Sequence, residues 1–280
     1  MSPAAQAVLA AGRGSGATVG GDGGDQEHKL IPENFYMGTP EPAWLRRTAV
    51  PLFVSYKRLI RLKGKLPRAV GPWALDSGGF TELAIHGRYS FEPKTYARFV
   101  QRVIDEIGGL KWAAIMDWMC EPFMLGKTGL TIKDHQRLTC ESYCELRYHA
   151  PDVPWLPVLQ GYKLEDYLRH LDMYDRRDDL LAELPLVGVG SICRRQGTKE
   201  IAELLRQLQA QGLRIHAFGM KTAGILQSSQ FIESADSQAW SFGARRRKVK
   251  LADCTHKGKN CSWCLRYALL WRDLVLLKMV

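Results

Sequence analysis

The chain has 280 residues, 46% of them hydrophobic and eight of them Trp, which is enough to bury a substantial core and excludes an intrinsically disordered protein. No apolar run approaches the roughly 18 residues that cross a bilayer, and no basic-then-apolar leader opens the chain, so a soluble, cytoplasmic protein with no membrane partner is expected. A net charge of +10 favours polyanionic partners through phosphate neutralisation and counterion release, although a merely soluble basic protein has the same balance.

Residues 1–28 are rich in Ala, Gly and Ser and read as a flexible tail. A single domain is expected over residues 29–280, with a zinc-binding segment at 250–270. From about residue 30 short apolar runs alternate with amphipathic stretches. The runs cover residues 51–55, 73–76, 112–117, 155–160, 186–190, 214–219 and 231–236. Between them, Pro93 to Glu106 places Tyr96, Phe99, Val100 and Val103 on one helical face, and Thr198 to Gln211 does the same with Ile201, Leu204, Leu205 and Leu208. Strand alternating with helix implies a parallel sheet covered on both faces. Seven or eight such units in this length match a (β/α)8 barrel of the TIM type. An open doubly wound sheet is the competing architecture, but no glycine-rich dinucleotide fingerprint follows the first strand.

Polar residues recur at the C-terminal ends of the runs: Asp76, Asp117, Gln160 with Gly161, the pair Gly188 and Gly190, and Asp236. In a barrel those ends meet on one face, where active sites lie. Farther on, Cys254, His256, Cys261 and Cys264 supply three thiolates and an imidazole within eleven residues. That is the ligand set of a closed, structural Zn2+ site, with four protein ligands and no position for water. Three reduced thiols beside a surface His are the alternative. Cys120, Cys140, Cys144 and Cys193 read as core residues or bystanders.

Asp76-Ser77-Gly78-Gly79-Phe80 closes a run with a carboxylate and a double-glycine turn that lets backbone approach a ligand. Alone, such an Asp is commonly a helix cap. Here it is followed in order by Met116-Asp117, Val158-Leu159-Gln160-Gly161, a Gly-x-Gly run, Ser234-Ala235-Asp236-Ser237 and the Cys/His cluster. This series, from about residue 50 to 270, resembles the tRNA-guanine transglycosylase superfamily.

The resemblance implies a pentosyltransferase. Asp236 falls at the nucleophile that attacks the sugar C1′, and Asp76 at a second aspartate serving as general acid/base and base contact. Asp117 and Gln160 fall at positions that read the base edge, and Gly188 and Gly190 at a loop whose amides touch the purine carbonyl. Ser77, Gly78, Gly79, Phe80 and Gly161 complete the implied base-binding set. The chemistry is consistent: a carboxylate can trap an oxocarbenium-like state covalently, and a second one can protonate the leaving base. Phe80, Trp118 and Phe218 could sandwich a flipped base, with barrel packing the alternative for each. The run Arg245-Arg246-Arg247-Lys248, helped by Arg194 and Arg195, is expected to contact phosphates, although such runs are often only solvated faces.

The chain departs from the tRNA enzymes in length, in having its only available ligand His between the cysteines, and in the residues around Asp236. In these it looks more like the DNA-guanine transglycosylases of phages and bacterial genomic islands. That resemblance implies DNA as partner, a 7-deazaguanine such as 7-cyano-7-deazaguanine as incoming base, and protection from restriction enzymes. A tRNA enzyme is the first alternative. A silent, zinc-bearing binding module or partner subunit is the second, and homodimerisation is left open.

Overall fold

The computed structural model describes residues 31–279 except 178, 180, 194 and 196–198. The tail expected at 1–28 and the phosphate contact expected of Arg194 lie outside the described residues. The strands are β1 (Phe35–Thr39), β2 (Leu52–Ser55), β3 (Trp73–Asp76), β4 (Leu110–Ala114), β5 (Trp155–Leu156), β6 (Val158–Leu159), β7 (Val187–Val189), β8 (Ile215–Ala217) and β9 (Ser234–Ser237). All their pairings are parallel, in the order β5-β4-β3-β2-β1-β9-β8-β7-β6.

The two ends of that order are halves of one run. Pro157 separates β5 from β6 and has no N–H for a ladder. The first half pairs with β4 and the second with β7, so the chain itself joins the sheet into a ring. Counted this way the nine strands make the eight-stranded TIM-like barrel expected from the sequence. Each of the seven apolar runs contains a strand or overlaps one. The eighth strand, β1, is absent from that series because Gly38 interrupts its apolar residues and it ends in Thr39 without a carboxylate. It is nevertheless buried along its whole length, between β2 and β9.

The helices are α1 (Tyr56–Leu59), α2 (Gly79–His86), α3 (Pro93–Ile107), α4 (Pro122–Thr128), α5 (Ile132–His149), α6 (Leu164–Asp175), α7 (Lys199–Gln209), α8 (Thr222–Ser228), α9 (Ala239–Arg246) and α10 (Leu265–Leu277). Helix α3 starts on Pro93, whose fixed φ suits a first turn, and buries Tyr96, Phe99, Val100 and Val103. Helix α7 buries Ile201, Leu204, Leu205 and Leu208. Among the described residues no helix is long and apolar enough to cross a membrane.

Apolar packing divides in two. The larger cluster lies between barrel and helices. A smaller one of Tyr36, Ala74, Trp112, Ala114 and Leu156, with Phe53, Leu186 and Phe218 against it, fills the barrel itself. There His216 is stacked among rings, 4.6 Å from the Trp112 centroid and 4.7 Å from that of Phe218. This aromatic layer is a rigid floor, and the strand ends open above it.

Candidate active site

The C-terminal strand ends surround a cleft of about 540 Å³. Asp76 closes β3, Asp117 follows β4, Gln160 follows β6, Gly190 follows β7 and Asp236 lies in β9; all five line it. So do Phe80, Glu121, Ser191, Cys193 and Phe242. Residues 160 positions apart in sequence therefore share one space, because parallel strands all deliver their C-termini to the same side.

Asp236 is buried, and its Oδ1 accepts the Gly219 N–H at 2.7 Å. Behind it lies His216, whose Nε2 is 3.4 Å from the same oxygen and whose Nδ1 is 2.7 Å from Ser234 Oγ. Burial lowers the His216 pKa against the pull of Asp236, which leaves a neutral imidazole at neutral pH.

Across the cleft, Asp76 Oδ1 accepts the Gly78 N–H at 3.0 Å. Burial raises its pKa, and the Asp236 charge adds to that, while the Gly78 amide and the Ser55 hydroxyl oppose it. Asp117 is pushed up to about 7 by burial first and then by Asp76, with the Gln160 amide opposing. With Glu121, four carboxyl groups thus share one cleft, and Asp76 and Asp117 are biased toward holding a proton.

Gln160 anchors the far wall. Its Nε2 donates to Asp117 Oδ2 at 2.5 Å, and Ser191 Oγ is 2.5 Å from its Oε1. Its backbone N–H is received by His170 Nδ1 at 2.8 Å, and its carbonyl accepts from Gln136 Nε2 at 2.7 Å. Gly190 makes room for this side chain, since a Cβ there would lie 2.2 Å from Gln160 Nε2. The N–H groups of Gly188 and Gly190 are used by the ladder, on the carbonyls of Pro157 and Leu159. These two amides are therefore not free for a purine carbonyl; Gly188 instead accommodates the Phe218 ring.

The other expected base contacts divide. Phe80 lines the cleft, 43% exposed. Gly78 sits at φ 77°, where glycine is favoured, and turns the chain into α2. Ser77 is wholly buried, with Oγ 3.3 Å from the Tyr89 hydroxyl, and Gly79 packs beneath the same hydroxyl. Gly161 packs on Tyr167. None of Ser77, Gly78, Gly79 or Gly161 is part of the cleft lining. Trp118 turns away, its ring against Tyr89 and His135, and Met119 takes the lining position instead. Phe218 lines the cleft and also belongs to the aromatic floor.

At the mouth, Lys221, Phe242 and Arg246 join the lining, and Phe242 is 62% exposed. Arg245, Arg247 and Lys248 are exposed next to them, although they do not line the cleft. Arg195 is engaged otherwise: it donates to the Tyr162 carbonyl, pairs with Glu200 and lies over the Tyr162 ring. Glu121, Ser191, His216 and Phe242 escaped the sequence reading. His216 occupies an ordinary apolar strand run. Glu121 belongs to no motif, and Phe242 shows itself only once α9 is placed beside the cleft.

The ligand atoms of Cys254, His256, Cys261 and Cys264 lie within 4.8 Å of one another. Cys254 Sγ is 3.5 Å from Cys264 Sγ and 3.7 Å from Cys261 Sγ, and His256 Nε2 is 3.4 Å from Cys261 Sγ. A tetrahedral zinc site has edges of about 3.8 Å between sulfurs and about 3.5 Å between sulfur and nitrogen, given its usual bond lengths. The donor set and its spacing fit zinc. The Leu251 N–H points at Cys261 Sγ, 3.4 Å away, and Ser241 Oγ donates to the Ser262 carbonyl, tying this loop to α9. The neighbouring Trp263 carries the Arg58 guanidinium 5.3 Å from its ring centroid, so the loop also reaches α1.

The model of the family described as DpdA, deoxypurine in DNA protein A, matches residues 31–279. The chain belongs to the DpdA family. Membership sets it among the proteins of DNA modification related to tRNA-guanine transglycosylases, and the Asp76 to Cys264 series lies wholly inside the match. Comparison with curated proteins gives no match. One solved structure, a candidate isomerase from Sinorhizobium meliloti in an open-loop conformation, is similar at 11% identity with a TM-score of 0.42. The likeness covers 76% of this DpdA chain and about half, 52%, of that protein, and it carries no chemistry across.

Proposed function

We propose that this DpdA chain is a DNA-guanine transglycosylase that exchanges guanine in DNA for a 7-deazaguanine through a covalent aspartyl-sugar intermediate. The observation that carries this reading is one cleft holding Asp76, Asp117 and Asp236 with Gln160, in a chain of this family. Asp236 Oδ1 is held by the Gly219 N–H, which leaves Oδ2 to attack C1′ of the target nucleotide. As that bond forms, the C1′–N9 bond breaks and its electron pair leaves with the base. Asp76, biased by burial toward its protonated form, donates the proton that neutralises the departing guanine. The incoming base then loses its N9 proton to Asp76 and attacks C1′, and Asp236 is released as a carboxylate.

Ionised Asp117 accepts from the N1–H and 2-amino groups of the base. The second Nε2 hydrogen of Gln160 is directed at O6. The target must leave the duplex stack, at a cost of a few kcal/mol, and Phe80 and Phe242 offer faces on which bases can stack. Arg246 and the basic residues around it meet the phosphates. Zinc bound by Cys254, His256, Cys261 and Cys264 supplies folding energy to the rim and no chemistry. In the cytoplasm, such exchange would shield DNA from restriction enzymes.

The test is release of labelled guanine from duplex DNA and, in parallel, from tRNA, with 7-cyano- and 7-aminomethyl-7-deazaguanine each supplied. Release from DNA supports the reading. Release from tRNA alone reverses the substrate, and silence on both with a folded, zinc-loaded protein turns it into a binding module.

A further inference from the structure

The barrel is hollow at both ends. Opposite the cleft, at the N-terminal ends of the strands, lies a pit of about 300 Å³. Trp155 and Ser234 open β5 and β9, Leu186 and Arg214 come just before β7 and β8, and all four line the pit. The exchange reaction uses only the other face. The volume falls at the small end of the range for ligand sites.

Its chemistry is zoned. The walls are apolar, from Pro154, Trp155, Pro157 and Leu186. Among the lining residues is Trp112, whose indole N–H is buried and has no hydrogen-bond partner. A buried donor is costly to leave unmet. The Tyr36 hydroxyl, also of the lining, is close enough to feel that N–H: burial raises its pKa and the indole opposes the rise. The rim carries Lys111 and Arg214, both exposed, against the carboxylate of Glu233, 3.5 Å from Arg214. A ligand matching these zones has a flat ring for the apolar walls, a carbonyl for the inner donors and an anionic tail for the rim. A pyrimidine nucleoside monophosphate has all three.

The pit also reaches the nucleophile. Ser234 Oγ meets His216 Nδ1 at 2.7 Å, and the other nitrogen of that ring lies 3.4 Å from Asp236 Oδ1. Trp112 packs on the same ring, with 4.6 Å between centroids. One imidazole thus links the two ends of the barrel.

We propose that the pit is a second ligand site, for a pyrimidine nucleoside monophosphate, and that its occupant acts on Asp236 through Ser234 and His216. The site itself is independent of the transglycosylase reading; its effect on exchange rests on that reading. Such an effector would tie base exchange to the nucleotide supply, as a coupling between two distinct sites.

The experiment is titration calorimetry of the zinc-loaded full chain with uridine 5′-monophosphate, uridine and inorganic phosphate, the cleft being saturated with 7-cyano-7-deazaguanine. The monophosphate is expected to bind about tenfold or more tightly than uridine or phosphate, the range of hydrogen bonds to charged groups. The double variant Lys111→Gln, Arg214→Gln alters only exposed side chains and should lose about tenfold in that affinity while keeping its affinity for the deazaguanine. No binding, equal binding of uridine, full competition by the deazaguanine, or an unchanged affinity in the double variant each overturns the site. Saturating monophosphate should then change kcat of exchange severalfold in the wild type and leave the double variant unmoved. A filled pit with an unaltered kcat overturns the coupling. A chain that exchanges no base refutes the transglycosylase reading, and calorimetry still decides the site.

Discussion

His216 stands directly behind Asp236: its Nε2 lies 3.4 Å from Asp236 Oδ1, and its other nitrogen meets Ser234 Oγ at 2.7 Å. The ring is wholly buried between Trp112 and Phe218. A neutral imidazole whose Nδ1 accepts from Ser234 carries its hydrogen on Nε2, which lies beside the carboxylate as a dipole and makes no hydrogen bond. It thereby steadies Asp236 without neutralising it. Asp236→Ala should abolish exchange and leave zinc content and melting temperature intact. His216→Phe, which keeps the ring, should lower kcat about tenfold or more with little change in KM for the base. Unaltered kcat would show that His216 only fills space.

Asp117 makes stability and base binding depend on pH in opposite senses. Its ordinary pKa is about 4, and in the fold it is pushed up to about 7, by burial first and Asp76 second. Between those values the folded protein holds a proton that the unfolded chain has lost. This group's contribution to stability is therefore complete at low pH and is lost as pH rises through about 7. Asp117→Asn should raise the melting temperature at pH 8 by a few degrees and change it little at pH 5. Base affinity in the wild type should improve over the same rise, as the acceptor form appears. Calorimetry showing the larger stabilisation at pH 5 would contradict the assignment.

Zinc should act on the rim before it acts on the chemistry. The metal loop is tied to α9 through Ser241 and Ser262 and to α1 through Trp263 and Arg58. Chelation, or Cys264→Ser, should lower the melting temperature by about 10 °C or more, because structural zinc contributes directly to folding. It should also weaken DNA binding. Full retention of thermal stability in a protein shown by metal analysis to lack zinc would leave the cluster without a structural role.

Phe242 exposes 62% of its surface at the cleft mouth, one helical turn from Arg246. A large apolar ring beside cations suits a nucleic acid better than water. Phe242→Ala should lower exchange on duplex DNA severalfold and on single-stranded DNA much less, because only the duplex must be opened. Equal losses on both substrates would make Phe242 a simple contact and not an aid to base extrusion.

Much of this molecule was legible before any coordinates. The alternation of short apolar runs with helices encodes a parallel barrel because the periods of strand and helix differ. The faces of α3 and α7 were readable for the same reason. The metal ligands lie within eleven residues, so local spacing alone brought them together. The aspartates at the ends of β3 and β9 and the one just beyond β4 were recognisable because each breaks an apolar run with a charge.

Only the tertiary structure decided which of the motif residues face the cleft. Ser77, Gly79 and Gly161 share motifs with Asp76 and Gln160, yet they pack beneath Tyr89 and Tyr167, since neighbours along a chain point to different sides. Trp118 was lost to the site, and Glu121, Ser191, His216 and Phe242 were gained. Closing the ring brings the ends of β3, β4, β6, β8 and β9 around one cleft, and the contacts that set the charge of Asp117 and the orientation of Asp236 exist only across those elements. Such contacts depend on distances in space, and residues as far apart in the chain as Asp76 and Asp236 leave no local pattern to read.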